Sequence, residues 1–337
     1  MKIVHVISDG TDRERVERLI CFLPQNFEHQ LITANELAEA TKDADVVHAH
    51  RWFGCGEAAW QCVAEQGTHV PYVMDIVQSD LAAYRKQPFF LHKRAHQVLE
   101  SAERVIFTTP MQQDFLSEHL PAAIADHAFA QSSLLYETLP PFWLDNLRIH
   151  PPTALVHIKL LYVGAITADC RLDVLLQAVE RIRRRNYEVS LTMAEDKVEE
   201  GGFRAKMLRE VQKNSYLRFE EADTEGKRLE LYRNHDILVQ TDAGVTSILR
   251  YAEALSQGLP LVYARGGIFD GVFKEGTAGY AVNPKSASEL AEKILAISEL
   301  FGTIEQHISR LHPLGLFDGR EVAAHWGHLY ENVAKLR

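Results

Sequence analysis

The chain has no apolar run approaching the ~20 residues that a membrane span requires, so a transmembrane protein is not expected. It is short of positive charge: Lys+Arg 36 stand against Asp+Glu 46, a net charge of −10, which argues against wholesale nucleic-acid binding. Cysteine is scarce as well. Cys21, Cys55, Cys62 and Cys170 lack the paired spacing of a metal site and read as reduced thiols. No long apolar segment or small-residue cleavage site marks the start, because MKIVHVISDG runs straight into a strand. A signal peptide is therefore not expected, and a bacterial-type cytoplasm is the default location. What is present is ordinary: 337 residues, 46% hydrophobic and 24% charged, enough for two globular domains of roughly 150 residues.

Along the chain, short apolar runs alternate with helical periodicity. Strands are expected at 2–8, 45–50, 72–77, 104–109, 158–163, 189–194, 237–240 and 261–264. Helices are expected to about Phe22 and at 58–66, 89–101, 172–184, 249–257, 286–300 and 321–336. Such alternation means parallel sheets wound by right-handed crossovers, an α/β fold of two Rossmann-like domains facing a central cleft. The stretch 139–153 carries two Pro-Pro pairs and little periodicity, so the junction is placed there. The expected divisions are 1–150, 151–318 and a C-terminal helix, 319–337, crossing back to the first domain.

One stretch, YAEALSQGLPLVYARGG (251–267), stands out together with TDAGVTSIL just before it. A helix N-terminus that follows a glycine turn offers N–H donors and a favourable dipole to an anion. Gly244 supplies the turn, and Thr246 and Ser247 can cap the helix. Two turns along, the Glu253 carboxylate can accept both hydroxyls of a ribose. Gly266 and Gly267 follow a strand, where bare backbone lets a phosphate or sugar approach closely. Elsewhere, His48 and His50 of DVVHAH are expected on opposite faces of their strand, one lining the cleft and the other satisfied in the core. With no third ligand in range, no metal site is expected. The segment YRKQPFFLHKRAH (84–96) mixes cations with Tyr84, Phe89 and Phe90. It suits either peripheral contact with an anionic bilayer at the inner membrane face or a helix with two core phenylalanines.

MKIVHVIS, DVVHAH and SAERVIFTT resemble the N-terminal half of retaining GT-B glycosyltransferases of the GT4 type. LLYVGAITADCRLDVLLQAVERI, DILVQTD, EALSQGLPLVYARGG and EGTAGYAVNPKSASELAEKI resemble the C-terminal half, in the family's order and spacing. The resemblance implies metal-independent transfer of a sugar, with retention, from a nucleotide-sugar held mainly by the second domain. The acceptor would be a glycan, lipid-linked or protein hydroxyl held mainly by the first, in bacterial glycan, lipopolysaccharide or glycoconjugate synthesis. The expected donor contacts are Gly10, Gly164, Arg171, Gly244, Thr246, Ser247, Glu253, Gly266 and Gly267, and the resemblance implies Glu253 on the ribose. Asp75 and His50 are the candidates for a catalytic role.

The chain also departs from that pattern. Val245 stands where the family places a second Glu, and Ala165 and Cys170 where it places the Arg and Lys that grip the diphosphate. Gly10 stands alone in a loop that often has several glycines. Val77 and Gln78 occupy the neighbourhood of a missing His. Arg171, or failing that Arg265, is left as the diphosphate cation. These departures keep a non-catalytic reading open, in which the fold binds a sugar, a nucleotide or a partner glycosyltransferase.

Overall fold

Buried runs of β-branched residues such as KIVHV and ILVQ cannot sit on a half-exposed surface, and each becomes an interior strand of a parallel sheet. The computed structural model describes all residues except 67, 68, 149–154, 156, 243–246, 311–314 and 337, together with the side chains of 64–66, 305, 309 and 310. The chain divides into two units, Met1–Pro140 with Leu316–Arg337, and Pro141–Gly315. The second Pro-Pro pair in the proposed junction lies outside the described residues. The division itself falls between the first pair, Pro140 and Pro141.

The first unit is built on six strands: β1 (Lys2–Val6), β2 (Glu28–Ile32), β3 (Val46–Ala49), β4 (Tyr72–Ile76), β5 (Arg104–Phe107) and β6 (Ser132–Leu134). They lie in the order β2-β1-β3-β4-β5-β6, every pairing parallel. The second unit has β7 (Ile158–Val163), β8 (Val189–Glu195), β9 (Leu217–Glu221), β10 (Ile237–Gln240), β11 (Leu261–Ala264) and β12 (Gly279–Val282). Their order is β12-β11-β10-β7-β8-β9, again parallel throughout. Strand order reverses between β1 and β3 in one sheet and between β7 and β10 in the other. In open parallel sheets, ligands bind outside the carboxyl ends of the strands at such reversals.

Local signals place the flanking helices. Asp9 caps the helix Gly10–Ile20, its carboxylate accepting from the N–H groups of Thr11 and Asp12. The helix Leu172–Arg184 buries Leu172, Leu175, Ala178, Val179 and Ile182, an i, i+3, i+4 stripe, and gathers arginines in its last turn. The C-terminal helix Gly319–Ala334 lays Val322, Trp326, Tyr330 and Val333 on Ile3, Val46, Val73 and Ile106 of the first sheet. Its first residue must be glycine: a Cβ on Gly319 would sit 2.1 Å from the Phe22 ring.

Candidate functional sites

In the second unit, the carboxyl ends of β7 and β10 carry the loops that the sequence singled out. Gly164 follows β7 with φ 155°, and a Cβ there would meet the Tyr162 hydroxyl at 2.9 Å. The Gln240 amide donates to the Val163 carbonyl at 2.6 Å, and the Thr241 hydroxyl donates to the Cys170 carbonyl, so the ends of the two strands are tied together. Ala165 is committed through its carbonyl to the Tyr162 hydroxyl. Cys170 is fully buried with its thiol on the Thr167 carbonyl at 2.7 Å, and burial pushes that thiol up. Neither can replace a cation.

Arg171 is different. Its backbone is left-handed, φ 53° and ψ 31°, between the turn Ala168–Cys170 and the helix Leu172–Arg184. A non-glycine residue in that region costs about 1–2 kcal/mol. Among the described residues, no hydrogen bond or ion pair engages its guanidinium. Strain of this kind collects at functional positions. Arg265, by contrast, is spent on Glu289 at 2.7 Å and on the Ala281 carbonyl at 3.3 Å.

Gly244 and Thr246, with Val245 between them, lie outside the described residues. Ser247 accepts from the Leu249 N–H at 3.3 Å just ahead of the helix Leu249–Ser256, whose N-cap is Ile248, without a side-chain cap. Glu253 on that helix is not the open carboxylate the sequence suggested. It is 1% exposed. Arg228 reaches it through Nε and Nη2 at 3.1 and 3.3 Å, Arg250 Nη1 at 2.7 Å, and the Tyr232 hydroxyl at 3.1 Å. Burial pushes the carboxyl up, with Arg250 and Arg228 pulling it back. Arg250 also reaches Asp196 at 2.9 Å. Arg228, Tyr232 and Arg250 were not singled out in the sequence; the only signal was their charge or hydroxyl on helical stretches with a buried face.

The glycine pair closes a turn. Gly266 carries the positive φ, 71°, and its N–H donates to the Asp270 carboxylate at 2.7 Å. The Gly267 N–H donates to the Ala264 carbonyl at 3.1 Å. The backbone donors expected to face a ligand are thus engaged within the loop, and Gly266, not Gly267, needs to be glycine for its conformation.

The strand-order reversal of the first unit holds a buried polar chain. Register sets His5 on β1 beside His48 on β3, and Asp75 lies on β4, paired with Ile106. The expectation that His48 and His50 face opposite ways fails, because positions two apart on a strand share a face. Both reach one carboxylate: His48 Nε2 lies 2.8 Å and His50 Nδ1 2.9 Å from the two Asp75 oxygens. His50 Nε2 meets His5 Nδ1 at 2.9 Å, and His5 Nε2 meets His29 Nδ1 at 3.0 Å. On the other side, His48 Nδ1 meets the Tyr330 hydroxyl at 2.7 Å. Arg15 lies 3.5 Å from Asp75 and donates to the His50 carbonyl at 2.8 Å.

These contacts order the protons. Burial opposes the charge of Asp75, but His48 and the hydrogen bonds from both imidazoles hold it well below the usual carboxylate range. As a double acceptor it fixes protons on His48 Nε2 and His50 Nδ1. Burial lowers His50 to about 3 and His5 well below its ordinary value, so both are neutral near pH 7. A neutral His50 then accepts at Nε2 from His5, which in turn accepts from His29 Nδ1. The run ends on His29 Nε2, which is buried with no partner among the described residues.

A third ligand is therefore in range after all. Nitrogens of His5, His48 and His50 lie within 4.8 Å of one another, all three residues buried. His5 was overlooked because it stands 43 positions from His48; a histidine inside the apolar run KIVHV was the available signal. The same nitrogens are already joined to each other, to Asp75 and to Tyr330, so the cluster is a hydrogen-bonded chain. A small pocket opens beside it, lined by Arg15, His50, Asp75, Thr108, Glu137 and Trp326 among others. Asp80 belongs to the framework: it accepts from the N–H groups of Trp52, Phe53 and Val77, and burial raises it to about 6. Gly10 has open space around its missing Cβ and ordinary backbone. The charged groups beside it, Asp9 and Arg51, are joined at 2.7 Å.

The two doubly wound sheets, each with its ligand-prone reversal, define the GT-B class of fold. Within the chain, residues 157–299 match the family model described as glycosyl transferases group 1, a span inside the second unit. No curated protein matches the sequence. Solved structures do match in shape. Anabaena Alr3699/HepE in complex with UDP superposes with a TM-score of 0.78 at 12% identity, over 98% of this chain and 100% of that one. Sucrose-phosphate synthase from Thermosynechococcus elongatus gives 0.72 at 16% identity over 100% of both. The lipopolysaccharide outer core galactosyltransferase WaaB gives 0.72 at 13% identity over 99% of both. The fold is thus GT-B.

Proposed function

We propose that the chain is a glycosyltransferase that moves a sugar from a nucleotide-sugar, bound by the second unit, to an acceptor hydroxyl bound by the first. The observation that carries this reading is the coincidence of the group 1 match, 157–299, with the unit whose strand-order reversal presents Gly164 and Arg171. That UDP occupies Anabaena HepE supports a nucleotide donor for this chain too. The proposal extends to retention, to independence from metal, and to an acceptor of the bacterial glycan or glycoconjugate kind. Such chemistry asks the protein mainly to position the reactants and stabilise a departing diphosphate. Arg171 is the cation available to do so in the β7 loop. Release of nucleoside diphosphate from a sugar donor by the purified chain tests the transferase reading, because a binder leaves the donor intact.

The second reading, a non-catalytic GT-B binder, is favoured by specific residues: Ala165 and Cys170 are uncharged and internally committed, and Val245 replaces an acid. Arg171 discriminates between phosphate binding and mere framework. Arg171→Ala should weaken a nucleoside diphosphate about tenfold or more, the equivalent of ~1.5–3 kcal/mol for a charged hydrogen bond. It should leave the bare nucleoside unaffected, and the loss should shrink as salt is raised. Arg171→Gly should lose the same affinity while holding or raising the melting temperature, since glycine relieves the left-handed backbone. Equal losses for nucleoside and diphosphate, measured by calorimetry, would remove Arg171 from the phosphate site.

A further inference from the structure

We propose that the first turn of the helix Phe89–Ser101 seats the chain on an anionic bilayer surface. Phe89 is 88% and Phe90 76% exposed, the two most exposed large apolar side chains among the described residues, and Leu91 beside them is exposed as well. The alternative of two core phenylalanines is thereby excluded. Tyr84 leaves the patch: it is buried, stacked on Trp52 at 5.3 Å and on His92 at 4.3 Å. The apolar contact therefore consists of three consecutive residues directly after Pro88, which opens the helix.

Spacing puts the cations where a bilayer needs them. Lys93 and Arg94 lie one turn beyond Phe89 and Phe90, about 6 Å further along the helix axis. Lys93 is exposed, and Arg94 lies over the Trp60 ring at 5.6 Å and 3.7 Å from Glu57. The preceding helix Gln78–Lys86 ends with Arg85 and Lys86, both exposed. A helix tip whose first turn is apolar and whose second turn is cationic places aromatic rings at the acyl boundary and charges at headgroup height. The helix N-terminus adds its own positive end to the same surface. On a chain of net charge −10, this cationic collar around exposed phenylalanines complements an anionic lipid surface. The inference does not depend on the transferase reading, since it needs no sugar donor.

Co-sedimentation of the full chain with phosphatidylcholine vesicles, with and without ~30% phosphatidylglycerol, tests it. The chain should bind the anionic vesicles only, less so as salt rises. A Phe89→Ser, Phe90→Ser double variant should lower the bound fraction by about tenfold or more at an unchanged melting temperature. Lys86→Gln with Lys93→Gln should weaken binding and flatten its salt dependence. Absence of binding, equal binding to neutral vesicles, or wild-type binding by the phenylalanine variant would overturn the proposal. So would self-association in sedimentation velocity that the phenylalanine variant abolishes without any vesicle binding, which would assign the patch to a protein partner.

Discussion

Glu253→Gln should lower the melting temperature of the second unit by about 10 °C. The substitution keeps the shape of the side chain but removes the charge that Arg228 and Arg250 share. Arg228 is buried, so it would be left as an uncompensated charge, and breaking a buried pair by removing one partner costs about 3–5 kcal/mol. In a unit of this size each kcal/mol shifts the midpoint by roughly 2–4 °C. Arg250 retains Asp196 and Tyr232 retains the Arg250 carbonyl at 3.4 Å, so collapse should be local to the helix Leu249–Ser256 and its neighbour Glu225–Asn234. If Glu253 serves the framework, nucleotide affinity in the folded fraction should stay within about twofold. A variant that melts normally but loses nucleotide affinity tenfold, about 1.4 kcal/mol, would place the carboxylate on the ribose.

Acid should unfold the first unit before the second. His5 and His50 are neutral in the folded chain because burial lowers their pKa, while in the unfolded chain they take up protons near 6.5. The unfolded state thus binds more protons as pH falls, so the stability these groups contribute is complete above about 6.5 and declines below it. At pH 5 His50 alone costs about 2 kcal/mol, from ~1.5 units at 1.36 kcal/mol per unit, and His5 acts in the same direction. The decline for His50 continues to about pH 3. Asp75 adds to it in the most acidic range: its folded pKa is depressed, so its contribution exists above the ordinary carboxylate pKa and is lost as pH falls further. Asp80, raised to about 6, takes up a proton in the folded unit over the same range and offsets part of this slope. Thermal melts between pH ~7 and ~5 read the net slope, which His50→Asn should shift by about one proton. An unchanged slope in that variant would mean that the histidine chain is not held neutral.

Much of the fold was legible because parallel strands and amphipathic helices write strong patterns. The runs 158–163, 172–184, 237–240 and 261–264 coincide with β7, a helix, β10 and β11 to the residue. What was missed was weakly patterned or very short: the half-exposed edge strand EHQLI, the short SSL of β6, the polar LRFEE of β9 and the four-residue, glycine-led GYAV of β12. Edge strands bury less, so their composition carries less signal. The sites were less legible still. A sequence shows that Glu253 follows the motif of a ribose carboxylate, but not that Arg228, 25 positions earlier, reaches it. Nor does DVVHAH reveal that His5 and Asp75 complete its surroundings, since contacts across a sheet join residues far apart in sequence. Period-two alternation, correctly applied, would have placed His48 and His50 together.

The central claim, that the second unit holds the nucleotide of a sugar donor, is tested most directly by thermal shift of the chain against UDP, GDP, ADP and CMP with their sugar conjugates. One nucleotide and its sugar conjugate should raise the melting temperature of the second unit, by about 2.7 kcal/mol of added stability at a hundredfold excess over its dissociation constant, with Arg171→Ala removing about half of the shift or more. No stabilisation by any nucleotide in the panel, at concentrations up to ~10 mM where even millimolar binding would register, would contradict it.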